Sequence, residues 1–196
     1  MYYFIMKFLT DFFATIDHIP KKSIDKILLL IRGKGLKKGA AIAKAGELPK
    51  DIYILKTGVI RSYYTDDKGK EYIRHLFTPF RATGALGALI LKKPSRLSYD
   101  CLTDCDVYAI NFNDFIELTK DDIGLSNLYN IILEMVFLTL ESKIYDLSVL
   151  NATERYLKLK KQIPNIENLI PQYHIASYLN ITPVQLSRIR KEIYSK

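Results

Sequence analysis

Seven side chains between Thr182 and Lys191 have the types and spacing that recognition of a DNA groove requires. They lie in Gln172-Tyr-His-Ile-Ala-Ser-Tyr-Leu-Asn-Ile-Thr-Pro-Val-Gln-Leu-Ser-Arg-Ile-Arg-Lys191, which reads as two short helices joined by a tight turn. On the second helix Val184, Gln185, Ser187, Arg188 and Lys191 fall away from the apolar face. Near a helix N-terminus such positions reach base edges in a major groove. Arg188 suits a bidentate contact to guanine, Gln185 one to adenine, and Val184 a contact with a thymine methyl. Thr182, Ser187, Arg190 and Lys191 are placed for phosphates, which orient a protein on DNA without reading its sequence. For Arg190 and Lys191 a solvated helix end is the plainer alternative, because basic residues there also favour the helix dipole.

Those side chains are useful only if two helices hold them. Ile175, Leu179, Ile181, Leu186 and Ile189 supply apolar inner faces, and Ala176 keeps the first helix thin where the second must cross. Asn180 is the turn residue, since asparagine tolerates the left-handed conformation better than most. Thr182 can cap the second helix, and Pro183 fits its first position, where a missing N–H costs nothing. Small residue, turn residue and cap coincide in register, as a helix-turn-helix demands. Only Glu192–Lys196 follow the basic helix, which leaves little chain for a wing.

Charge divides the rest of the chain. The 196 residues carry 29 basic and 21 acidic side chains, a net charge of +8. Residues 1–120 hold 20 basic and 13 acidic side chains, residues 121–150 one and five, and residues 151–196 eight and three. A −4 block therefore separates a diffuse +7 from a compact +5, and charge shifts of this kind mark organisation. Within the acidic block Leu128, Ile131, Ile132, Met135, Leu138, Ile144 and Leu147 recur at three and four, while Val136, Phe137 and Leu140 fill other faces. A helix apolar on more than one side needs cover on more than one side. Its own β-domain and a second copy of the chain would supply that, which favours a two-fold dimer over a central helix of a monomer.

Before Asp121 the period changes. Residues 20–31 read as a short amphipathic helix. From Leu36 to Ile110 come short runs rich in β-branched and aromatic residues, such as DIYILKTG, VIRSYYT, EYIRHLF and DVYAI, with Gly39, Gly46, Gly58 and Gly69 at turn positions. Thr65–Gly69 joins two such runs as a hairpin loop. Six to eight short strands predict an antiparallel sandwich or jelly roll. Helices flank the strands instead of alternating with them, which argues against a parallel α/β sheet. The opening MYYFIMKFLTDFF lacks a positive n-region and a cleavage site, so a packed helix is expected, with Met1 or Met6 as the start. No uncharged stretch approaches the roughly 18–20 residues of a membrane span.

At this point the chain resembles the Crp/Fnr family of transcription regulators. LKKGAAIAKAG followed by DIYILKTGVIRSYYTDDKGKEYIRHLF is similar to the family's glycine-punctuated β-roll. ATERYLKLKKQIPNI followed by IPQYHIASYLNITPVQLSRIRK is similar to its DNA-binding half, and is the more specific match. The resemblance implies an α+β chain: an N-terminal antiparallel, cyclic-nucleotide-binding-like β-roll sensor over 1–120, a dimerisation helix over 121–150, and a helix-turn-helix domain over 151–196. It implies double-stranded DNA, a second copy and RNA polymerase as partners.

The family's nucleotide-binding members place a Gly-Glu pair before a short helix and an arginine about ten residues later. Here the stretch is Thr83-Gly84-Ala85-Leu86-Gly87, then Pro94-Ser95-Arg96. Gly84 and Arg96 match, but Ala85 stands where the ribose-binding carboxylate belongs. Losing that buried hydrogen bond costs ~1–3 kcal/mol, which argues against a cyclic-nucleotide effector. The candidate effector pocket is Gly84, Ala85, Arg96 and Ser98, for an unidentified small molecule. Arg96 has a structural alternative, pairing with Asp100 or Asp104.

No nucleophile–base constellation, metal-ligand spacing or phosphate-cradling loop stands out, so neither an enzyme nor a bound metal or cofactor is expected. His18, His75 and His174 are dispersed. Cys101 and Cys105 sit four apart in a segment that reads as strand, which places both on one face as buried free thiols in a reducing cytoplasm. The competing account is a ligand-sensing module that acts through a protein partner, with the C-terminal helices as its docking surface.

Overall fold

The computed structural model describes residues 8–9, 11–13, 16 and 19–195. The choice between Met1 and Met6 and most of the first predicted helix lie outside them, although Phe8, Leu9 and Asp11–Phe13 are helical. Helix α1 spans Lys21–Leu28 and is followed by strands β1 (Arg32–Leu36), β2 (Ala41–Ala43), β3 (Asp51–Thr57), β4 (Ile60–Thr65), β5 (Glu71–Phe77) and β6 (Arg81–Thr83). Then come α2 (Leu86–Leu91), β7 (Ser98–Cys101), β8 (Cys105–Asn111), α3 (Phe112–Asp121) and α4 (Ile123–Val149). The chain closes with α5 (Ala152–Gln162), α6 (Ile166–Leu169), α7 (Gln172–Tyr178) and α8 (Pro183–Tyr194).

Two four-stranded antiparallel sheets, ordered β1-β8-β3-β6 and β2-β7-β4-β5, face each other as the expected β-roll. The central strands of the first sheet, β8 and β3, are apolar on both sides because both sides are covered. In β3 and β8, Tyr53, Leu55, Val107 and Ala109 turn inward to the sandwich core with Ile60. Ile54, Tyr108 and Ile110 turn outward, onto α1, α3, the start of α4 and the buried Leu9, Phe12 and Phe13. The hairpin between β4 and β5 closes as its residues dictate. The Asp66 carboxylate accepts from the N–H groups of Lys68 and Lys70, and Gly69 takes φ +78°.

Helix α4 starts at Asp122, whose side chain accepts from the Leu125 N–H, from Ser23 Oγ at 2.6 Å and from Lys26 Nζ at 2.6 Å. These bonds, Lys26 first, hold the Asp122 carboxyl far below the usual carboxylate range. Gly124 lets α1 approach: a Cβ there would stand 2.4 Å from Ser23 Oγ and 2.8 Å from Pro20 Cδ. At about 1.5 Å per residue, the 27 residues of α4 then run beyond the β-roll. Past Leu128 the residues of α4 are half-buried or exposed. By length and composition alone α4 is long and apolar enough to cross a membrane, and 17% of its most apolar window is buried. Glu134 and Glu141 interrupt this stretch, which is why no long uncharged run reveals it.

One expectation is corrected. Cys101 and Cys105 do not share a strand. Cys101 ends β7 in one sheet and Cys105 begins β8 in the other, with Leu102–Asp104 carrying the chain across. Their alternation pattern survives the crossing, so both thiols still point into the same core. Both are free and buried.

Candidate DNA-binding face and its coupling to the sensor

Helices α7 and α8 form the expected helix-turn-helix. Asn180 adopts φ +56°, and the Ile181 N–H returns to the Ala176 carbonyl at 3.0 Å, closing α7. Ala176 is fully buried, as the close crossing requires. Thr182 and Gln185 form a complete capping box: Thr182 Oγ1 accepts from the Gln185 N–H at 3.2 Å, and Gln185 Oε1 accepts from the Thr182 N–H at 2.9 Å. Leu186 and Ile189 are buried against Tyr156, Leu159, Ile166, Ile170, Ile175 and Leu179.

The predicted contact residues separate into three groups. Val184, Ser187, Arg188 and Lys191 are exposed on one side of α8. Thr182 and Gln185 are exposed but occupied by the capping box, so Gln185 must give up one bond, about 1 kcal/mol, to read a base. Arg190 is set apart from the others. Its Nε lies 2.7 Å from Glu167 Oε1 as an ion pair without hydrogen-bond geometry, and Glu167 accepts from Tyr194 at 2.7 Å and from Tyr156. Arg190 thus shares the Glu167 carboxylate with Lys160, whose Nζ lies 3.5 Å from Oε2, whereas Arg188 and Lys191 have no acidic partner among the described residues.

The candidate effector residues are less well assembled. Ala85 caps α2 and is buried with Leu97 and Tyr99, with Phe77, Ile42 and Ala88 packed around them. Apolar groups therefore surround the place where a ribose-binding carboxylate would stand. Gly84 adopts φ +149°, and Ser98 Oγ accepts from the Ala45 N–H at 3.1 Å. Arg96 is exposed and does not take the partners expected for it. Arg61 takes Asp100 and Lys37 takes Asp104, the latter at 2.8 Å. Arg61 wins Asp100 because the two residues are register partners on adjacent strands β4 and β7, with their side chains on the same face.

That arginine has no local sequence signature, and it sits at the junction of the β-roll and the helix-turn-helix. Arg61 Nε and Nη2 donate to the two oxygens of Asp100 at 2.7 and 3.0 Å, and Nη1 donates to Glu71 at 2.5 Å. Its guanidinium lies 4.0 Å from the Tyr63 ring centre and 3.4 Å from Nδ1 of His174 on α7. Beside it, Ser177 Oγ accepts from the Ile73 N–H at 3.0 Å and donates to the Glu71 carbonyl at 3.2 Å. Strand β5 is an edge strand, and α7 covers and satisfies that edge. Helix α4 joins from the other side: Lys143 Nζ donates to the Tyr178 carbonyl at 2.9 Å and sits 3.6 Å above its ring. Burial holds the Lys143 amine down to about 8, against the opposing pull of Asp146. No local pattern betrays these contacts, because each joins elements far apart in sequence.

Two histidines at this junction make stability depend on pH. Burial, then Arg61, holds His174 down to about 4, with Glu71 and Asp100 opposing. Burial, then Lys143, Arg74 and Arg81, holds His75 down to about 4. Both are neutral when folded but take a proton below the ordinary histidine value when unfolded. Their stability contribution is complete above about pH 6.5 and is lost as the pH falls toward 4. Urea unfolding is expected to show a loss of roughly 1–2 kcal/mol per histidine between pH 7 and 4.5. His174→Gln should flatten that slope, and an unchanged slope would show that His174 is not its source.

Residues 34–122 match the cyclic nucleotide-binding domain. No curated protein sequence matches the chain. Among solved structures, FixK2 from Bradyrhizobium japonicum superposes with a TM-score of 0.73 at 18% identity, covering 84% of this chain and 85% of its own. A protein from Eubacterium rectale assigned to the Crp/Fnr family gives a TM-score of 0.73 at 16% identity, covering 94% and 88%. The c-di-GMP-responsive global regulator CLP of Xanthomonas campestris gives 0.63 at 16%, covering 90% and 92%. Residues 34–122 are thus similar to the cyclic nucleotide-binding domain, and the chain has the overall fold of these Crp/Fnr-type structures.

Proposed function

We propose that the protein is a homodimeric, sequence-specific DNA-binding transcription regulator whose β-roll sensor does not use a cyclic nucleotide. The observation that carries this reading is the presented face of α8. Val184, Ser187, Arg188 and Lys191 project from a helix whose opposite side, Leu186 and Ile189, is buried. In this reading residues 151–196 bind double-stranded DNA, the 121–150 helix pairs with its copy, and residues 1–120 sense an effector. RNA polymerase is the further partner of such a regulator, and the cytoplasm is where it acts. Paired recognition helices read half-sites about 34 Å apart on a near-palindromic duplex. The buried Ala85 supports the second half of the proposal, since its methyl group cannot accept a ribose hydroxyl.

Selection of bound duplexes from a random pool tests the reading. The expected outcome is a two-fold site, and an absence of sequence preference at moderate salt would refute the proposal. Binding that ignores DNA and survives neutralising Arg188 and Lys191 would favour a protein partner. On the selected site, Arg188→Ala should weaken binding by about 1–3 kcal/mol and relax preference at one base pair. Lys191→Ala should weaken all sequences evenly and lower the salt slope by roughly one. Calorimetry with cyclic AMP and cyclic GMP should detect no micromolar binding.

A further inference from the structure

The basic block at residues 151–196 contains three acidic side chains. Glu154 closes the capping box of α5, and Glu192 is exposed on α8. Glu167, on α6, is the one that meets cations. Its carboxylate lies 2.7 Å from Arg190 Nε on the recognition helix and 3.5 Å from Lys160 Nζ on α5. It also accepts from the Tyr194 hydroxyl at 2.7 Å and from the hydroxyl of the buried Tyr156. The Tyr194 ring faces both cations, with Lys160 Nζ 4.6 Å and the Arg190 guanidinium carbon 6.0 Å from its centre.

Two cations and two hydroxyls that converge on one anion form the donor set a DNA phosphate takes. Burial works against the charged form of Glu167. The Tyr156 and Tyr194 hydrogen bonds, with the Arg190 and Lys160 charges, nevertheless hold its carboxyl below the usual range, so it is an anion at neutral pH. Its grip on the cations is electrostatic more than geometric. Arg190 Nε makes no hydrogen bond despite the short distance, and Lys160 stands off at 3.5 Å. Their side chains are 28% and 30% exposed, so both also reach solvent. Arg190 follows Ser187 by three residues and precedes Lys191, which puts it at the flank of the face that α8 presents.

We propose that Glu167 is a built-in stand-in for DNA phosphate, which holds Arg190 and Lys160 inside the domain and so lowers affinity for DNA of any sequence. Glu167 has this role only if α8 meets DNA, as proposed above. Phosphate contacts carry no sequence information, and non-specific binding consists essentially of them. A cation committed to an internal carboxylate adds no such contact until that pair breaks, whereas base readout by Arg188 is untouched. Glu167 thereby sets how strongly the chain is held where no base contact can form.

The full chain carrying Glu167→Gln tests this role against a duplex of random sequence over a salt series. Glutamine keeps the length and an oxygen that accepts from Tyr156 and Tyr194, but it releases both cations. Non-specific affinity should rise about tenfold per freed contact at ~0.1 M salt, and the salt slope should steepen by about one to two. A merely structural role predicts the opposite sign, because loosened packing lowers affinity. Tyr156→Phe removes a hydroxyl from the same packing without a change of charge, and should not raise affinity. Arg190→Gln should cost more binding in the Glu167→Gln background than in the wild type, since only there is the guanidinium free. Weaker binding, an unchanged slope or a failure of Glu167→Gln to fold overturns the proposal and leaves a structural residue. An equal gain from Tyr156→Phe overturns it too. A wild type that binds no duplex at all refutes instead the DNA-binding reading beneath it.

Discussion

Arg61→Ala is expected to lower the free energy of unfolding by about 3–5 kcal/mol, the cost of breaking a buried ion pair and leaving its partner charged. The side chain is only 8% exposed, against 17% for Asp100 and 40% for Glu71. Removing the arginine therefore strands Asp100, with two lone-pair positions that the guanidinium had filled, while Glu71 can turn to water. The effect should not be confined to the β-roll. Glu71 and Ser177 hold the same stretch of β5 against α7, and His174 lies on the guanidinium. Faster hydrogen exchange at Ile73 and through α7 is the local signature, and urea unfolding followed by tyrosine emission is the global measure. Arg61→Met, which keeps the stem over the Tyr63 ring but not the charge, should lose nearly as much, whereas Arg61→Met combined with Asp100→Leu should recover part of it. A single-variant loss below about 1 kcal/mol would mean that water already solvates this pair.

That arginine also marks the limit of what the sequence discloses. The helix-turn-helix was legible because its rules are local: Ala176, Asn180, Thr182 and Pro183 each answer a backbone requirement within a few residues. The β-roll was legible from strand periodicity and glycine punctuation, although the crossing at Leu102–Asp104 was hidden because alternation continues through it. What escaped were choices among distant partners. Asp100 stands near Arg96 in sequence yet pairs with Arg61, because strand register places β4 and β7 side by side. Similarly, Arg190 reads as one more basic residue of the recognition helix, and only the packing of α6 beneath it brings Glu167 within 2.7 Å.

The other large effect concerns α4. Leu133, Phe137, Leu140, Ile144 and Leu147 recur at alternating four and three residues, the spacing of a coiled-coil seam. Phe137 is 64% exposed and Ile144 is 66% exposed in the single chain. Phe137→Glu combined with Ile144→Glu is expected to convert a dimer into a monomer in sedimentation at micromolar concentration. Each side chain contributes about 1.5–3 kcal/mol when buried. A two-fold interface counts each one twice, so the pair of substitutions removes most of what a seam of this length supplies. The glutamates also set like charges against each other across the axis. DNA binding should follow: affinity for a two-fold duplex falls by roughly 10²–10⁴, the avidity of joined half-sites, while binding to one isolated half-site stays within a few-fold of wild type. Because Gly124, Leu125 and Leu128, the buried residues of this helix, are untouched, the unfolding midpoint at matched monomer concentration should hardly move. A double variant that remains dimeric would mean that another surface joins the copies and that the apolar face of α4 has a different occupant.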